Sequence, residues 1–278
     1  MKLIRQVDKM QAWSDRARRT GKTISLVPTM GCLHKGHLRL VRHARQQADV
    51  VVVSIFVNPM QFGPKEDFRR YPRRLERDLD MLKKAGADIV FASDVREMYP
   101  QPLLTVLEVP NLSWNLCGRS RPGHFRGVCT VVAKLLHIVK PHTAVFGAKD
   151  FQQATVVQRM VRDLNFDVRL VINPTVREED GLAMSSRNVY LTPAERRDAA
   201  VLNRALKEGR KLVRAGNKDT RDVVKTMRQM ISAKAGRVDY IKIVNAETLE
   251  DVTKAGRGNV IALAVFFGRT RLIDNIKI

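Results

Sequence analysis

Short runs of β-branched and aliphatic residues alternate with helical patterns along the first 173 positions. Thr23–Val27 (TISLV) reads as a buried strand that stops at Pro28. A helix is expected over His37–Gln47, with Leu38, Val41, Ala44 and Ala48 on one apolar stripe. Val50–Val57 is an almost continuous apolar run, the pattern of a central parallel strand covered on both faces. Arg73–Ala85 reads as a charged amphipathic helix, with Leu75, Leu79 and Leu82 at helical spacing and a stop at Gly86. Asp88–Ala92 predicts a strand, Val128–Val139 a helix, Thr143–Phe146 a strand, Phe151–Leu164 a helix and Asp167–Ile172 another strand. Repeated strand–helix–strand order argues an α/β fold, a doubly wound parallel sheet.

The texture changes after Pro174. Two helices are expected, Ala194–Ala215 and Thr220–Ala235, split by Gly216 and Asn217. Three strand-like runs follow, Val238–Val244, Val260–Phe267 and Thr270–Ile276. Helices followed by consecutive strands predict a smaller C-terminal α+β domain over 174–278, joined to the larger domain over 1–173.

With 278 residues, 44% of them hydrophobic, the chain can bury a real core, which excludes wholesale disorder. Its formal net charge of +22 is spread along the chain, whereas a nucleic-acid-binding tail would concentrate it. A basic, well-solvated surface fits, and so does a general pull on anions such as nucleotides. No specific nucleic-acid partner is expected, because only 6% of residues are aromatic and no stacking motif is visible. Cys32, Cys117 and Cys129 are widely spaced with no CxxC pair, which disfavours a disulfide scaffold or structural zinc and fits a reducing cytoplasm. The opening MKLIRQVDKMQAW has no apolar h-region, and the longest apolar stretch is too short to span a bilayer. Neither a secretory leader nor a membrane partner is expected.

The sharpest chemical feature is Pro28-Thr29-Met30-Gly31-Cys32-Leu33-His34-Lys35-Gly36-His37, between the first strand and its helix. Ligands of open α/β sheets bind outside the carboxyl ends of the strands, where this segment lies. A helix N-terminus offers backbone N–H groups and a positive dipole end to phosphate. Two imidazoles three residues apart share one side of the first helical turn, and Gly36 leaves room for close approach. A single His there is more often a cap or a surface residue; the pair favours function. Met184-Ser185-Ser186-Arg187 has hydroxyl donors and a guanidinium suited to phosphate, although a polar loop explains it as well. Gly147-Ala148-Lys149-Asp150 follows the strand TAVF, with Lys149 a further cation; the plainer reading is a surface turn and helix start.

The HxGH arrangement resembles the HxGH nucleotidyltransferase superfamily, whose fold is Rossmann-like. The longer blocks VSIFVNPMQF (53–62), YPR (71–73), RPGHFRGV (121–128), FGAKDFQQ (146–153) and DGLAMSSRNVYL (180–191), in this order, resemble the pantothenate synthetase (pantoate–β-alanine ligase) family over essentially the whole chain. The resemblance implies a ligase that condenses (R)-pantoate with β-alanine, giving pantothenate, AMP and pyrophosphate through pantoyl adenylate. It implies ATP and Mg²⁺ and a homodimer built through the N-terminal domain; closure of the C-terminal domain over ATP is expected as well, to keep water from the reactive anhydride.

It also implies roles. Met30, Gly31, Cys32, Leu33, His34, Lys35, Gly36 and His37 would contact ATP, with His37 the family's usual proton donor. Gly147, Ala148, Lys149 and Asp150 would form a second ATP contact, Val176 would lie near the adenine, and Met184, Ser185, Ser186 and Arg187 would form the phosphate-binding loop. His34, His37, Lys149 and Arg187 would carry the cationic catalysis. Gln61 and Gln153 would hold pantoate, with Asn58 and Phe62 completing its pocket and Gln61 also near β-alanine. Amides suit a polyol because each offers donors and an acceptor.

No dedicated carboxylate cage for a metal is visible. Magnesium often rides on substrate phosphates, and Asp78 is an indirect candidate beside its plainer reading as a solvated acid on an amphipathic helix. His124 reads equally as a site residue or a loop histidine, and Arg121 and Arg126 as site edge or subunit contact. His43, His137 and His142 read as structural, whereas Cys32, inside the loop, could make activity thiol-sensitive. The family's usual acidic residue in the FGxKD block is Ala148 here, which removes a negative charge beside Lys149.

Overall fold

The computed structural model describes residues 1–64 and 66–278. Their contacts divide into two compact units. The first comprises 1–109, 121–148 and 156–174; the second comprises 110–120, 149–155 and 175–278. Among the described residues, no helix is long and apolar enough to cross a membrane.

The first unit is built on a six-stranded, all-parallel sheet of order β1-β4-β3-β2-β5-β6, the Rossmann-like arrangement expected. The strands are β1 (Lys2–Ile4), β2 (Ile24–Thr29), β3 (Val50–Ile55), β4 (Ile89–Phe91), β5 (Thr143–Gly147) and β6 (Arg169–Asn173). Helices α1 (Val7–Arg19), α2 (Lys35–Arg45), α3 (Leu75–Ala85), α4 (Val95–Met98) and α7 (His124–Val139) belong to it. Val51, Val53 and Val90 are fully buried against Val41, Ala44 and Leu82 of α2 and α3. Each of these Val and Leu side chains contributes about 1.5–3 kcal/mol when removed from water. The strand order reverses between β2 and β5, and ligands of open α/β sheets bind beside such a switch point, beyond the carboxyl ends.

In the second unit, β7 (Arg237–Asn245), β8 (Asn259–Phe267) and β9 (Thr270–Lys277) form an antiparallel meander. It packs with α9 (Pro193–Ala199), α10 (Val201–Arg214) and α11 (Thr220–Ser232) around Leu206, Met227, Ile231, Ile261 and Leu263. The short helices α5 (Pro110–Ser113) and α6 (Cys117–Ser120) also belong here, and α8 (Phe151–Asp163) is divided between the units.

Several boundaries differ from the sequence reading for identifiable reasons. β2 runs through Pro28 to Thr29, still in register with β3, where a stop was expected. The Ile24 carbonyl bonds toward β5, so Pro28, four residues on, turns its missing N–H to the same side. Pairing with β5 covers only Ser25 and Leu26, so the proline removes no ladder bond. The single helix expected over Ala194–Ala215 breaks at Ala200. Ala199, Ala200, Val201 and Leu202 are all buried, and four successive residues cannot share one helical stripe. β1 and α1 were not anticipated: β1 has three residues, and α1 buries only Met10, Ser14 and Ala17 on an otherwise polar helix.

Candidate functional site

In the first unit the loop after β2 is set by a buried carboxylate. Thr29 Oγ1 donates to the Ser54 carbonyl at 2.7 Å and accepts from the Gly31 N–H at 3.2 Å. Gly31 (φ +80°) and Cys32 (φ +50°) then turn the chain through the left-handed region. A Cβ on Gly31 would lie 3.0 Å from Ile55 Cγ2 and 3.1 Å from Asp78 Oδ2, so only glycine fits that turn without displacement. Asp78 Oδ2 accepts from the Cys32 N–H at 2.7 Å, and Oδ1 from the Leu33 N–H at 2.8 Å.

Asp78 is therefore no solvated acid: it is 1% exposed, on the α3 face that also buries Leu82. Burial pushes its carboxyl up from the ordinary range, while the two backbone bonds and the Arg77 and Arg74 charges pull it back. The same burial, followed by the Asp78 charge, pushes the Cys32 thiol up, so this 5%-exposed cysteine is poorly suited to react as a thiolate.

His34 caps α2. Its Nδ1 accepts from the Gly36 N–H at 3.1 Å, and the Nδ1 of His37 accepts from the His34 N–H at 3.4 Å, a reciprocal capping box made of imidazoles. Acceptance at both Nδ1 atoms assigns the proton of each neutral ring to Nε2. The rings lie 4.0 Å apart between centroids at 35°. Both imidazoles are thus fixed at the N-terminus of an eleven-residue helix with no acidic side chain in its first turn, a setting that favours anions.

Gln61, at the end of the 3₁₀ turn Pro59–Gln61, is held from several sides. Its amide Nε2 lies 3.3 Å from Met30 Sδ and its Oε1 accepts from Asn58 Nδ2 at 3.2 Å. Asn58, 1% exposed, also donates to the Gly127 carbonyl (3.0 Å) and accepts from the Tyr99 hydroxyl (2.9 Å). The Gln61 carbonyl accepts from Arg121 Nη2 (3.1 Å) and pairs with His124 Nδ1 (2.8 Å). Arg121 in turn grips Glu66 through Nε (2.6 Å) and Nη2 (2.7 Å). Burial pushes the Glu66 carboxyl up, but the Arg121 bond and charge, with the Gly63 N–H and the His124 charge, leave a net lowering. A Cβ on Gly127 would sit 2.3 Å from the Met60 carbonyl, so α7 approaches this turn backbone to backbone. Phe62 meets Phe68 at a tilt (5.4 Å) and Tyr71 edge-on (6.0 Å) at its rim. Gly147 and Ala148 lie at the end of β5, on the other side of the switch point from β2.

The remaining candidates belong to the second unit. Lys149 Nζ lies 3.7 Å from Asp150 Oδ1, just before α8, and Gln153 is half-buried in the first turn of that helix. The neighbouring Gln152 is buried, bonding the Cys117 N–H and the Leu112 and Asn115 carbonyls. Val176 and Met184 are joined by a backbone bond of 3.0 Å, which closes a small hairpin. Ser185 Oγ then accepts from the Arg187 N–H at 3.3 Å and caps the 3₁₀ segment Ser186–Tyr190.

The structure thus joins Met30, Asn58 and Gln61 in one contact set, His34 with His37 in another, Lys149 with Asp150, and Val176 with Met184. Arg126 instead turns to Glu108 (3.2 Å), and His142 accepts from the Ile24 N–H (3.0 Å), a structural role. His137 packs on Phe166 (5.3 Å). Sequence reasoning undervalued Asp78, Tyr99, Arg121 and His124. For Asp78 a signal existed: three residues after Leu75 and four before Leu82, it shares their buried face.

A family model described as "Pantoate-beta-alanine ligase" matches residues 2–277. Proteins named pantothenate synthetase are similar throughout: that of Thermotoga petrophila is 54% identical over 276 residues, covering 99% of both chains. That of Thermotoga neapolitana is 55% identical over 279 residues, again covering 99% of each. Among solved structures, pantothenate synthetase from Thermus thermophilus is similar at a TM-score of 0.94 and 46% identity, over 100% of this chain and 99% of that one. Pantoate-β-alanine ligase from Francisella tularensis, solved with β-γ ATP and β-alanine, matches at 0.85 and 32% identity, over 100% and 97%.

Replacing Asp78 tests the loop directly. Asp78→Ala leaves two buried N–H donors unmatched and should lower the unfolding free energy by about 1–3 kcal/mol, whereas Asp78→Asn, keeping one acceptor, should cost less. Chemical denaturation reads both; unchanged midpoints would contradict the assigned role of the carboxylate.

Proposed function

The chain belongs to the pantoate–β-alanine ligase family and is an enzyme that joins pantoate to β-alanine; from that premise we propose a two-step route through an acyl adenylate. A carboxylate oxygen of (R)-pantoate attacks the α-phosphorus of ATP. The bond to the bridging oxygen breaks, and its electron pair leaves with pyrophosphate. The β-alanine amine then attacks the acyl carbon, AMP departs with the mixed-anhydride oxygen, and the nitrogen gives up its proton. No covalent enzyme nucleophile is required, so positioning and charge stabilisation carry the rate.

The imidazole pair at the α2 N-terminus is the observation that supports this reading most. Both rings accept at Nδ1, which puts the proton of each neutral ring on Nε2, a donor suited to phosphoryl oxygens that gain charge in the first step. Met30 to His37 take the ATP phosphates, with Gly147 and Ala148. Lys149, Asp150 and Met184 to Arg187 also bind ATP, and Val176 meets the adenine. Gln61 and Gln153 hold pantoate by its hydroxyls and carboxylate, Asn58 orients the Gln61 amide, and Phe62 lines the pocket. Gln61 also meets β-alanine. The smaller C-terminal domain, 174–278, closes over ATP and keeps water from the anhydride.

Magnesium fits as a companion of the substrate phosphates. Both Asp78 oxygens are occupied by backbone N–H groups, which removes it from the donor set, and among the described residues no three His, Cys, Asp or Glu side chains cluster as ligands. Asp150, with its side chain 46% exposed, is the residue to hold it. When bound, the ion supplies charge neutralisation to the phosphates. The cytoplasm fits a biosynthetic enzyme of this kind.

A homodimer through the N-terminal domain is supported by the irregular segment 101–109, which leaves Leu104 95% and Val106 42% exposed. Leu104, almost fully exposed, is the apolar side chain that such a contact would cover. Sedimentation should give a dimer, and Leu104→Glu should shift it toward monomer; a monomeric parent protein would reject this interface.

Pantoate-dependent ATP–pyrophosphate exchange without β-alanine should occur, with AMP and pantothenate released only once β-alanine is added. His37→Ala should lower the exchange rate by roughly 10²–10³, the size of one lost transition-state donor. Exchange that ignores pantoate, or a His37→Ala variant at full rate, would reject the route.

A further inference from the structure

We propose that Asp274 and Asn275, neighbours on β9, are positioning residues that fix the two ATP-holding segments of the second unit against one strand. The proposal rests on the reading that Lys149 and the Met184–Arg187 loop hold ATP. β9 is an edge strand, and successive side chains on a strand face opposite ways, so adjacent residues can reach different segments.

Asp274, 3% exposed, receives Arg177 in a two-pronged ion pair, Nη1 to Oδ2 at 2.6 Å and Nη2 to Oδ1 at 3.0 Å. Arg177 follows Val176 and lies in the hairpin leading to Met184. It bonds the Gly181 carbonyl at 3.1 Å and bridges to Ala183, and Asn203 turns its amide oxygen toward the guanidinium at 3.0 and 3.3 Å. Gly181 has φ +91°, and a Cβ there would meet the Asn203 side chain, so the hairpin tip closes tightly on this cluster. A planar fork held on both oxygens of a buried carboxylate leaves Arg177 one orientation, and with it the chain entering the Met184–Arg187 loop.

Asn275 donates from Nδ2 to the Lys149 carbonyl at 2.9 Å. The bond fixes the backbone from which the Lys149 ammonium projects. The Asp274 carboxylate also accepts from the Asn275 N–H at 2.8 Å, which ties the two anchors together. Neither residue touches substrate in this assignment: Asn275 acts through Lys149, and Asp274 through Arg177.

The test is pantoate-dependent ATP–pyrophosphate exchange by the full chain carrying Asn275→Ala, Lys149→Ala, both, or Arg177→Lys. Asn275→Ala should cut the exchange kcat about tenfold, leave the pantoate KM within about twofold, and add less than about twofold in the Lys149→Ala background, as residues acting as a unit do. Arg177→Lys keeps the charge opposite Asp274 but loses the fork, so the fold is retained while the KM for ATP rises severalfold. Full exchange by Asn275→Ala, or the same tenfold loss with Lys149 already removed, would overturn the assignment of Asn275. An unchanged ATP KM in Arg177→Lys would overturn that of Asp274. Lys149→Ala at full rate would instead fail the reading of Lys149 itself, and the Asn275 assignment would fall with it.

Discussion

Two backbone N–H groups aimed at one buried carboxylate set the geometry on which the first unit's chemistry depends. Removing a carboxylate from water costs several kcal/mol, and a charge-assisted hydrogen bond returns about 1.5–3 kcal/mol. The two bonds from Cys32 and Leu33, with the Arg77 and Arg74 charges, offset part of the burial of Asp78, and its raised carboxyl pKa marks the part that is not offset. That arrangement holds Gly31 and Cys32 in left-handed conformations and delivers the chain to His34 at the angle α2 requires. The capping box of His34 and His37 then turns a helix start into a pair of oriented N–H donors.

Gln61 shows the same economy of design on the neighbouring turn. Its carbonyl is taken by Arg121 and His124, its amide oxygen by Asn58, and its amide nitrogen lies against Met30 of the loop after β2. The pantoate contact proposed for Gln61 and the ATP contact proposed for Met30 are therefore mechanically linked. Phosphoryl transfer asks the protein for placement and positive charge rather than for a nucleophile. A net charge of +22 raises the positive potential available to an anionic substrate.

The sheet was largely legible because buried parallel strands are nearly uninterrupted apolar runs, as Val50–Ile55 is. The candidate site was legible where it is local: the spacing of His34 and His37 and the blocks around Gln61 and Lys149 lie in short stretches. What escaped depends on partners far apart in the chain. Asp78 meets Cys32 and Leu33 across some 45 residues, Arg121 meets Gln61 across 60, and Asp274 meets Arg177 across 97. A carboxylate in an amphipathic helix carries no local sign of which backbone it will meet. The break at Ala200 escaped for another reason, since neither proline nor glycine marks it and only the burial of four successive residues demands it.

Amide hydrogen exchange at Cys32 and Leu33, compared between the parent protein and Asp78→Asn, tests the central claim most directly. If the carboxylate holds the loop, both amides are protected in the parent, and at least one exchanges orders of magnitude faster in the variant, while β3 amides such as that of Val52 keep their rates. Equal rates at Cys32 and Leu33 in the two proteins would show that the loop holds its shape without Asp78, and would contradict the account.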